Sequence, residues 1–307
     1  MARTQGISPG TVSGRIDFST LPLWQEMAPI TLGEMDSIRL MNRIDTKFVT
    51  SERVLLDILS DANAGGYRVC TIAGRQVTGY NSLYYDTPGL YMYNAHHNGR
   101  KTRQKVRCRT YEVSGDTFLE IKRKNNHGRT KKKRISIPTE FFSHFGDDPA
   151  AAAFLEENSW FSAGMLMPRC TTEFNRITLV NPAKTERLTI DTGLHFHNFA
   201  TGRDGSLQDA VIIELKQDGR LPSPMRAILA RHGVKPYRIS KYIVGTVLTD
   251  PDAKDNRFKE KIRFIEKTIN KKITDRYEMD IQNRGPRRSA PALGPVLRPG
   301  RQAASSL

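Results

Sequence analysis

One segment, residues 103–110, constrains the fold more than any other, because cationic residues alternate in it with smaller or apolar ones. Side chains on a β-strand point alternately to its two faces, so residues two apart share a face. The cations that would form one basic face are Arg103, Lys105, Arg107 and Arg109. Such a face can simply be solvated, but no acidic residue separates these like charges. A bound polyanion would compensate their repulsion, so the pattern predicts a strand that lines a polyanion site.

The charge balance of the whole chain agrees with an anionic partner. The 307 residues include 48 Lys and Arg against 32 Asp and Glu, a formal net charge of +16. An excess of this size indicates nucleic acid, an acidic membrane surface or a phosphorylated substrate, and composition does not choose among them. Cys70, Cys108 and Cys170 lie far apart without a Cys-x-x-Cys motif, which argues against a disulfide scaffold or a zinc site. Without an apolar run of about 20 residues or a signal peptide, a cytoplasmic protein is expected.

Composition along the chain predicts four regions. Residues 1–30 are rich in Gly, Ser, Thr and Pro, which predicts a flexible N-terminal arm. Residues 281–307 are rich in Pro, Gly, Ala and Arg, which predicts a disordered basic tail. The folded domain is predicted at 31–250, with a C-terminal helix at 251–280.

Short β-branched segments bounded by turn residues favour antiparallel strands in the folded domain. They are predicted at 103–113, 117–123, 133–137, 170–180, 186–192 and 210–217. Helices are predicted at 51–62, 149–157, 224–233 and 237–248. The fold class is therefore α+β. The cationic run Lys131–Arg134 is read as a solvated loop that could also line the mouth of a barrel.

Two of these strands place Glu and Lys on one face. Glu120 shares a face with Lys122 and Lys124, and Glu214 shares one with Lys216. Each pair is either a structural ion pair or a site in which Glu binds a divalent cation and Lys binds a phosphate oxygen. Neither a GxxxxGK[ST] loop nor a GxGxxG motif is present, which excludes the common nucleotide-binding folds. Phosphoryl transfer depends on positioning and charge neutralisation, so no Ser-His-Asp set is expected.

At this point the ordered motifs resemble the VTC domain, the polyphosphate polymerase domain of the triphosphate tunnel metalloenzyme superfamily. The resemblance spans residues 34–248, and its strength lies in the order of the set rather than in any one match. The matching segments are Asp45-Thr46-Lys47-Phe48, Ser82-Leu83-Tyr84-Tyr85-Asp86-Thr87, Lys105-Val106-Arg107-Cys108-Arg109-Thr110-Tyr111, Leu119-Glu120-Ile121-Lys122, Asn175-Arg176, Ile190-Asp191-Thr192, Ile213-Glu214-Leu215-Lys216 and Ser240-Lys241-Tyr242.

The resemblance implies an antiparallel eight-stranded β-barrel, a triphosphate tunnel open at both ends with helices packed outside. It also implies that a nucleoside triphosphate and a metal, Mn²⁺ or Mg²⁺, bind inside with Glu214 as the metal ligand. The residues expected to hold the reacting phosphates are Lys47, Arg107, Arg109, Lys122, Arg176 and Lys241. Further substrate contacts are expected from Arg103, Lys105, Lys124, Lys216 and Ser240. Arg103 and Lys105 are expected nearer a mouth of the tunnel than Arg107 and Arg109.

Two departures qualify the resemblance. Phe174 stands where the family often has a Tyr, which removes one hydroxyl contact. The ExExK signature of the CYTH branch is missing, which argues against a thiamine triphosphatase or an adenylyl cyclase.

The leading hypothesis is an ATP-dependent polyphosphate polymerase that transfers the γ-phosphate of ATP to a growing chain. A triphosphatase or polyphosphatase of the same fold and a non-catalytic polyphosphate- or nucleic-acid-binding protein are the alternatives. Nucleic acid is disfavoured because only Tyr111 offers a ring for base stacking beside the basic strand. The expected partners are ATP and polyphosphate, together with a membrane protein that would hold this chain at the membrane periphery. The sequence leaves the oligomeric state open.

Overall fold

The computed structural model describes residues 11–12, 15–36, 43–219 and 221–275. Their strands are β1 (Thr11–Val12), β2 (Arg15–Ile16), β3 (Pro29–Ile30), β4 (Arg43–Ser51), β5 (Arg68–Cys70), β6 (Val77–Asp86), β7 (Arg103–Tyr111), β8 (Thr117–Lys124), β9 (Thr130–Ile137), β10 (Met167–Val180), β11 (Glu186–Asn198), β12 (Asp204–Leu207) and β13 (Ala210–Asp218). Their α-helices are α1 (Leu23–Glu26), α2 (Leu32–Asp36), α3 (Glu52–Ala64), α4 (Tyr91–His97), α5 (Pro149–Asn158), α6 (Pro224–Arg231), α7 (Lys241–Thr249) and α8 (Lys259–Ile269).

Eight antiparallel strands form one curled sheet in the order β4-β13-β11-β10-β6-β7-β8-β9. The short strands β3, β5 and β12 attach to this path, while β1 and β2 pair with each other. The described helices pack around the sheet, which has the form of a half-barrel. The predicted antiparallel eight-stranded fold with helices packed around it is therefore confirmed.

The outer face of the sheet is covered by helices with apolar stripes. Ser51 accepts a hydrogen bond from the Val54 backbone N–H at 3.4 Å and so caps α3 at its N-terminus. The stripe of α3 that includes Leu55 and Ile58 packs with Ile213 and Leu215 of β13 in one core cluster. Elsewhere on the same outer face, Val106 and Cys108 of β7 pack with Leu155 of α5 in a second cluster. Both clusters leave the opposite, inner face of the sheet free for other contacts.

Helix α7 lies against the inner face instead. Tyr242 stacks on Tyr84 of β6 with ring centroids 5.0 Å apart, and its hydroxyl donates to Asp86 at 2.6 Å. A Cβ on Gly245 would lie 2.6 Å from Cδ1 of Phe196, so the absence of a side chain there allows the helix to approach β11 closely. The helix fixes the position of its first residue, Lys241, at the inner face.

The predicted helix 237–248 begins later than expected. The backbone N–H of Tyr237 donates to the carbonyl of Lys47 at 2.6 Å, and Pro236 forms a bridge with Phe48. These contacts hold the preceding segment against β4 as extended chain, so α7 starts only at Lys241.

The predicted flexible arm, 1–30, requires correction for residues 16–30. Phe18, Leu21, Trp24 and Met27 are buried in the core cluster that also contains α3. The indole N–H of Trp24 donates to the carbonyl of Phe18 at 2.6 Å. The segment packs through elements as short as α1 and β3, which are too short to produce a helical or strand periodicity in the sequence. Residues 1–10 lie outside the described residues.

The described C-terminal region contains one helix. Helix α8 lies within the predicted 251–280, but residues 251–258 form turns before it. The compact unit that contains the sheet ends at Ile273, and the second unit contributes Thr274 and Asp275 to the described residues. The predicted basic tail, 281–307, lies outside them. Among the described residues, no helix has the length and apolar character that a bilayer span requires.

Candidate active site

The inner face gathers the predicted cations through the strand register. Arg107 of β7 lies opposite Tyr84 of β6 and Glu120 of β8, and Lys105 lies opposite Lys122. The same alternation continues across β9, β10, β11, β13 and β4. The inner face carries Lys47, Arg103, Lys105, Arg107, Arg109, Lys122, Lys124, Lys132, Arg134, Arg176, Arg187 and Lys216, with Lys241 above it on α7. Its described carboxylates are fewer than its cations and include Asp45, Asp86, Glu120, Asp191, Glu214 and Asp218, so positive charge predominates.

This basic face is enclosed. Arg107 is 8% exposed and Arg109 is 7% exposed, which is unusual for charged side chains. Arg103 and Lys105 are half-buried. A solvated basic strand would leave all four charged groups in water. Here two of the four side chains are buried and two are half-buried.

Arg107 is fixed by a buried ion pair. Its Nε donates to Glu120 at 2.8 Å and its Nη1 donates to the Tyr84 hydroxyl at 2.9 Å. Lys132 of β9 bonds the other carboxylate oxygen of Glu120. Burial alone would raise the pKa of Glu120, but Arg107, Arg109 and Lys132 hold it well below its usual range. Glu120 is therefore an ionised partner that orients two cations.

Arg109 is less fully engaged. Its Nε donates to Ser82 at 2.9 Å, and its guanidinium lies 5.4 Å from the ring centroid of Tyr80. Burial and, to a smaller extent, Arg107 lower the pKa of Arg109 to about 10. Its two Nη groups donate no hydrogen bond within the described part of the chain, so they can bind a bidentate anion such as phosphate.

A second ion-pair group joins β10, β11 and α7. Arg176 donates to Asp191 through Nε at 2.6 Å and through Nη2 at 2.9 Å. Lys241 bonds the same carboxylate, and its Nζ lies 4.1 Å from the ring centroid of Phe174. Burial lowers the pKa of Lys241 to about 7, despite the opposing effect of Asp191. Lys241 is thus a cation that its surroundings compensate incompletely.

The charges of Lys105 and Lys122 are likewise compensated incompletely by their surroundings. Lys105 donates to Ser240 at 2.8 Å, a contact that brings two predicted substrate-binding residues together. Burial, followed by the positive charges of Lys47 and neighbouring arginines, lowers the pKa of Lys105 to about 7. Arg107 and, to a smaller extent, burial hold the pKa of Lys122 well below its ordinary value. A bound polyanion would reverse both shifts.

The predicted metal ligand, Glu214, faces the same site from β13. It lies opposite Lys47 of β4 and accepts a hydrogen bond from Lys216 at 2.7 Å. Burial would raise its pKa, but Lys47 and Lys216 hold it well below the usual range, so the carboxylate is ionised. Its second oxygen accepts no hydrogen bond from the described residues. No group of three His, Cys, Asp or Glu side chains suited to a metal occurs among them, so a cation here would need phosphate oxygens and water as its other ligands.

The structure also brings together aromatic rings that sequence reasoning did not connect. Tyr80 and Phe174 stack at 5.4 Å, and Tyr111 contacts both Tyr80 and Phe118 edge-on. The guanidinium of Arg176 lies 4.7 Å from the ring centroid of Tyr80. The ring of Phe174 therefore supports three cations, Arg109, Arg176 and Lys241.

Lys132 and Arg134 are inner-face cations that were not among the predicted site residues. The run Lys131–Arg134 was read as a solvated loop, although the predicted strand 133–137 includes its last two residues; the whole run lies within β9, with Lys132 and Arg134 on the inner face. Arg134 lies 4.4 Å from the ring centroid of Phe118. The run contains no apolar residue, so its alternation is invisible in the sequence. Lys124, which was predicted to contact the substrate, lies at the end of β8 opposite Thr130.

The family comparison agrees with this geometry. The VTC domain family matches residues 42–249, about two thirds of the chain. The chain belongs to the VTC domain family. The match covers every residue that the sequence predicted for the site, from Lys47 to Lys241. No curated protein sequence matches the chain significantly.

Solved structures show weaker similarity. One is a putative adenylyl cyclase from Hippeastrum described as having a dominant triphosphatase activity, with 15% identity, 67% of this chain and 95% of that chain covered, and a TM-score of 0.46. Another is a putative adenylate cyclase from Vibrio parahaemolyticus, with 11% identity, 67% of this chain and 99% of that chain covered, and a TM-score of 0.40. The family assignment rests on the VTC match and not on these structures.

Proposed function

We propose that this VTC domain protein is a polyphosphate polymerase that transfers the γ-phosphate of ATP to a growing phosphate chain on the inner face of the half-barrel. The observation that carries the proposal is the enclosed excess of cations, in which Lys105 and Lys241 have pKa values of about 7. Burying this many like charges is unfavourable without a compensating anion. A triphosphate together with a polyphosphate chain supplies that anion.

The cations divide into two kinds in this proposal. Arg107 and Arg176 are held rigidly by Glu120 and Asp191, so they present fixed charge to the substrate. Arg109, Lys122 and the remaining lysines retain donors for phosphate oxygens. Rigid donors that meet the developing charge of a transferring phosphoryl group need no reorganisation during the reaction. Positioning and charge neutralisation are the main requirements of phosphoryl transfer, so the chain needs no nucleophilic side chain.

The inner face fits a divalent cation that binds with the substrate. Glu214 would hold Mn²⁺ or Mg²⁺ together with triphosphate oxygens, and the cation would withdraw charge from the transferring group. Lys47 and Lys216, on either side of Glu214, would bind phosphate oxygens next to the same carboxylate. Ser240 would hold Lys105 towards the substrate.

The proposal is tested by incubating the purified protein with ATP and Mn²⁺ and separating the products by gel electrophoresis. Long chains are expected from the wild type, with a large loss in Glu214→Gln and in Arg107→Ala. Lys267→Ala, a change at an exposed lysine of α8, is the matched control and should retain activity. If the wild type releases only phosphate, the triphosphatase alternative is correct. If it forms no product and the variants behave like wild type, the polymerase proposal is wrong.

A further inference from the structure

A second group of cations lies on the outer face of the β8–β9 hairpin, away from the candidate active site. Arg123 pairs in register with Lys131, and Ile121 pairs with Lys133. Because side chains alternate, these residues point away from Lys122 and the inner face. Together with Arg129 they line a cavity of about 430 Å³, which we call the outer pocket.

The charge of the outer pocket is almost entirely of one sign. Arg123, Arg129, Lys131 and Lys133 form no ion pair within the described part of the chain. Glu157 is the one carboxylate among the described lining residues, and it already accepts a hydrogen bond from Asn158 at 3.2 Å. A merely solvated face usually mixes both signs of charge. A concave surface with unpaired cations raises the local concentration of anions instead.

One side of the outer pocket is prearranged by Trp160. The guanidinium of Arg123 lies 5.2 Å from the centroid of its ring, a cation–π contact that restricts an otherwise mobile side chain. Trp160 is itself 42% exposed, because it faces the pocket rather than the core. Restricting a cation in this way reduces the entropy lost when an anion binds.

The outer pocket adjoins the active site at one residue. Lys124, at the end of β8, lines both the outer pocket and a smaller cavity of about 170 Å³. Arg103, Lys105 and Lys122 line the smaller cavity, so it opens onto the cations of the inner face. Positive side chains therefore continue from the inner face, around the end of β8, to the outside of the hairpin.

We infer that the outer pocket binds a further segment of the same phosphate chain, which leaves the active site past Lys124. The inference rests on the proposed function, because it takes a polyphosphate chain as the ligand of the inner face. The four outer cations make the affinity depend on chain length, because they contact long chains and do not contact a tripolyphosphate held at the inner face. A separate nucleotide in the outer pocket is the competing occupant, and the test distinguishes it.

The first experiment measures the affinity of two anions for a triple variant, Arg123→Ala with Lys131→Ala and Lys133→Ala. Affinity for long-chain polyphosphate should fall about tenfold, equivalent to about 1.4 kcal/mol, while affinity for tripolyphosphate stays unchanged. Log affinity falls as log salt rises, and each phosphate contact contributes about 0.7 to the steepness of this fall for single-stranded nucleic acid. Loss of three phosphate contacts should therefore make the fall shallower by about 2. The matched control removes one exposed Arg and two exposed Lys elsewhere, Arg53, Lys254 and Lys267, and should change neither affinity.

The second experiment uses Trp160 as a local reporter. The chain has two tryptophans, and the other, Trp24, is 8% exposed in the core. Long-chain polyphosphate should change the emission of Trp160 by displacing Arg123 from its ring, and Trp160→Phe should abolish the change. Tripolyphosphate at a concentration that fills the active site should leave the emission unchanged.

Three outcomes would overturn the inference. Long-chain affinity in the triple variant that equals that of the matched control would show that the outer cations do not contact the chain. An equal loss for both anions would place the effect at the inner face. An emission change with ATP that long-chain polyphosphate does not compete away would assign the outer pocket to a nucleotide. If the wild type makes no chains from ATP but the triple variant loses affinity for long chains alone, the proposed polymerase activity fails while the outer pocket is supported.

Discussion

Protonation of Lys105 provides a quantitative test of the candidate site. In the free protein this lysine has a pKa of about 7, lowered chiefly by burial and then by Lys47. At pH 8 it is therefore about nine tenths neutral, while its reference pKa is about 10.4. A bound tripolyphosphate favours the charged form and raises the pKa, so binding at pH 8 should take up nearly one proton at Lys105. At pH 6 the lysine is already charged and should take up almost none.

The variant Lys105→Arg separates this proton from all others, because Arg stays charged at every pH used. Isothermal titration of tripolyphosphate in two buffers of different ionisation enthalpy gives the proton uptake. The variant should take up about one proton less than wild type at pH 8 and the same number at pH 6. Between pH 6 and pH 8, the affinity of wild type for tripolyphosphate should fall about tenfold more than the affinity of the variant. Titration of the ligand itself cancels in the comparison.

Equal proton uptake by wild type and Lys105→Arg at pH 8 would contradict this prediction. It would mean that Lys105 is already charged in the free protein or that the anion binds elsewhere. Lys267→Arg, an exposed lysine on α8, is the matched control and should show the proton uptake of wild type at both pH values.

Three other predictions concern the fold and the site. In thermal denaturation without anion, stability should rise as the pH rises above 7, because Lys105 and Lys241 bind fewer protons in the folded than in the unfolded protein. Added tripolyphosphate should flatten this rise. A stability that falls above pH 7 would contradict the prediction. Glu120→Gln should lower the free energy of unfolding by about 3–5 kcal/mol in urea, since it leaves Arg107 buried without a charged partner; unchanged stability would contradict this. Gly245→Ala should cost about 1–3 kcal/mol in the same assay because its Cβ would clash with Phe196, and wild-type stability would show that α7 can shift freely.

The basic face of β7 could be predicted because its alternation is visible in the sequence: Val106 and Cys108 are apolar and separate the cations. The first part of β9, residues 130–132, has the same geometry but lies outside the predicted strand 133–137, because both faces are charged around Lys132 and no period distinguishes this part from a loop. It becomes recognisable only through its pairing with β8.

Ion pairing across strands was likewise hidden from the sequence. Asp191 was recognised within a motif, but its bonds to Arg176 and Lys241 depend on the register of β10 with β11 and on the placement of α7. The N-terminal segment was predicted wrongly for another reason. Trp24 and its neighbours are buried through very short elements, which leave no periodicity in the sequence, so the composition of the segment indicated a flexible arm.

The central claim is that the inner face transfers the γ-phosphate of ATP to a phosphate chain. The most direct measurement is ³¹P nuclear magnetic resonance of ATP and Mg²⁺ during incubation with the wild-type protein. The γ-phosphate signal should decline while signals of ADP and of internal phosphates in a chain grow together. Growth of orthophosphate and ADP without internal-phosphate signals would contradict it.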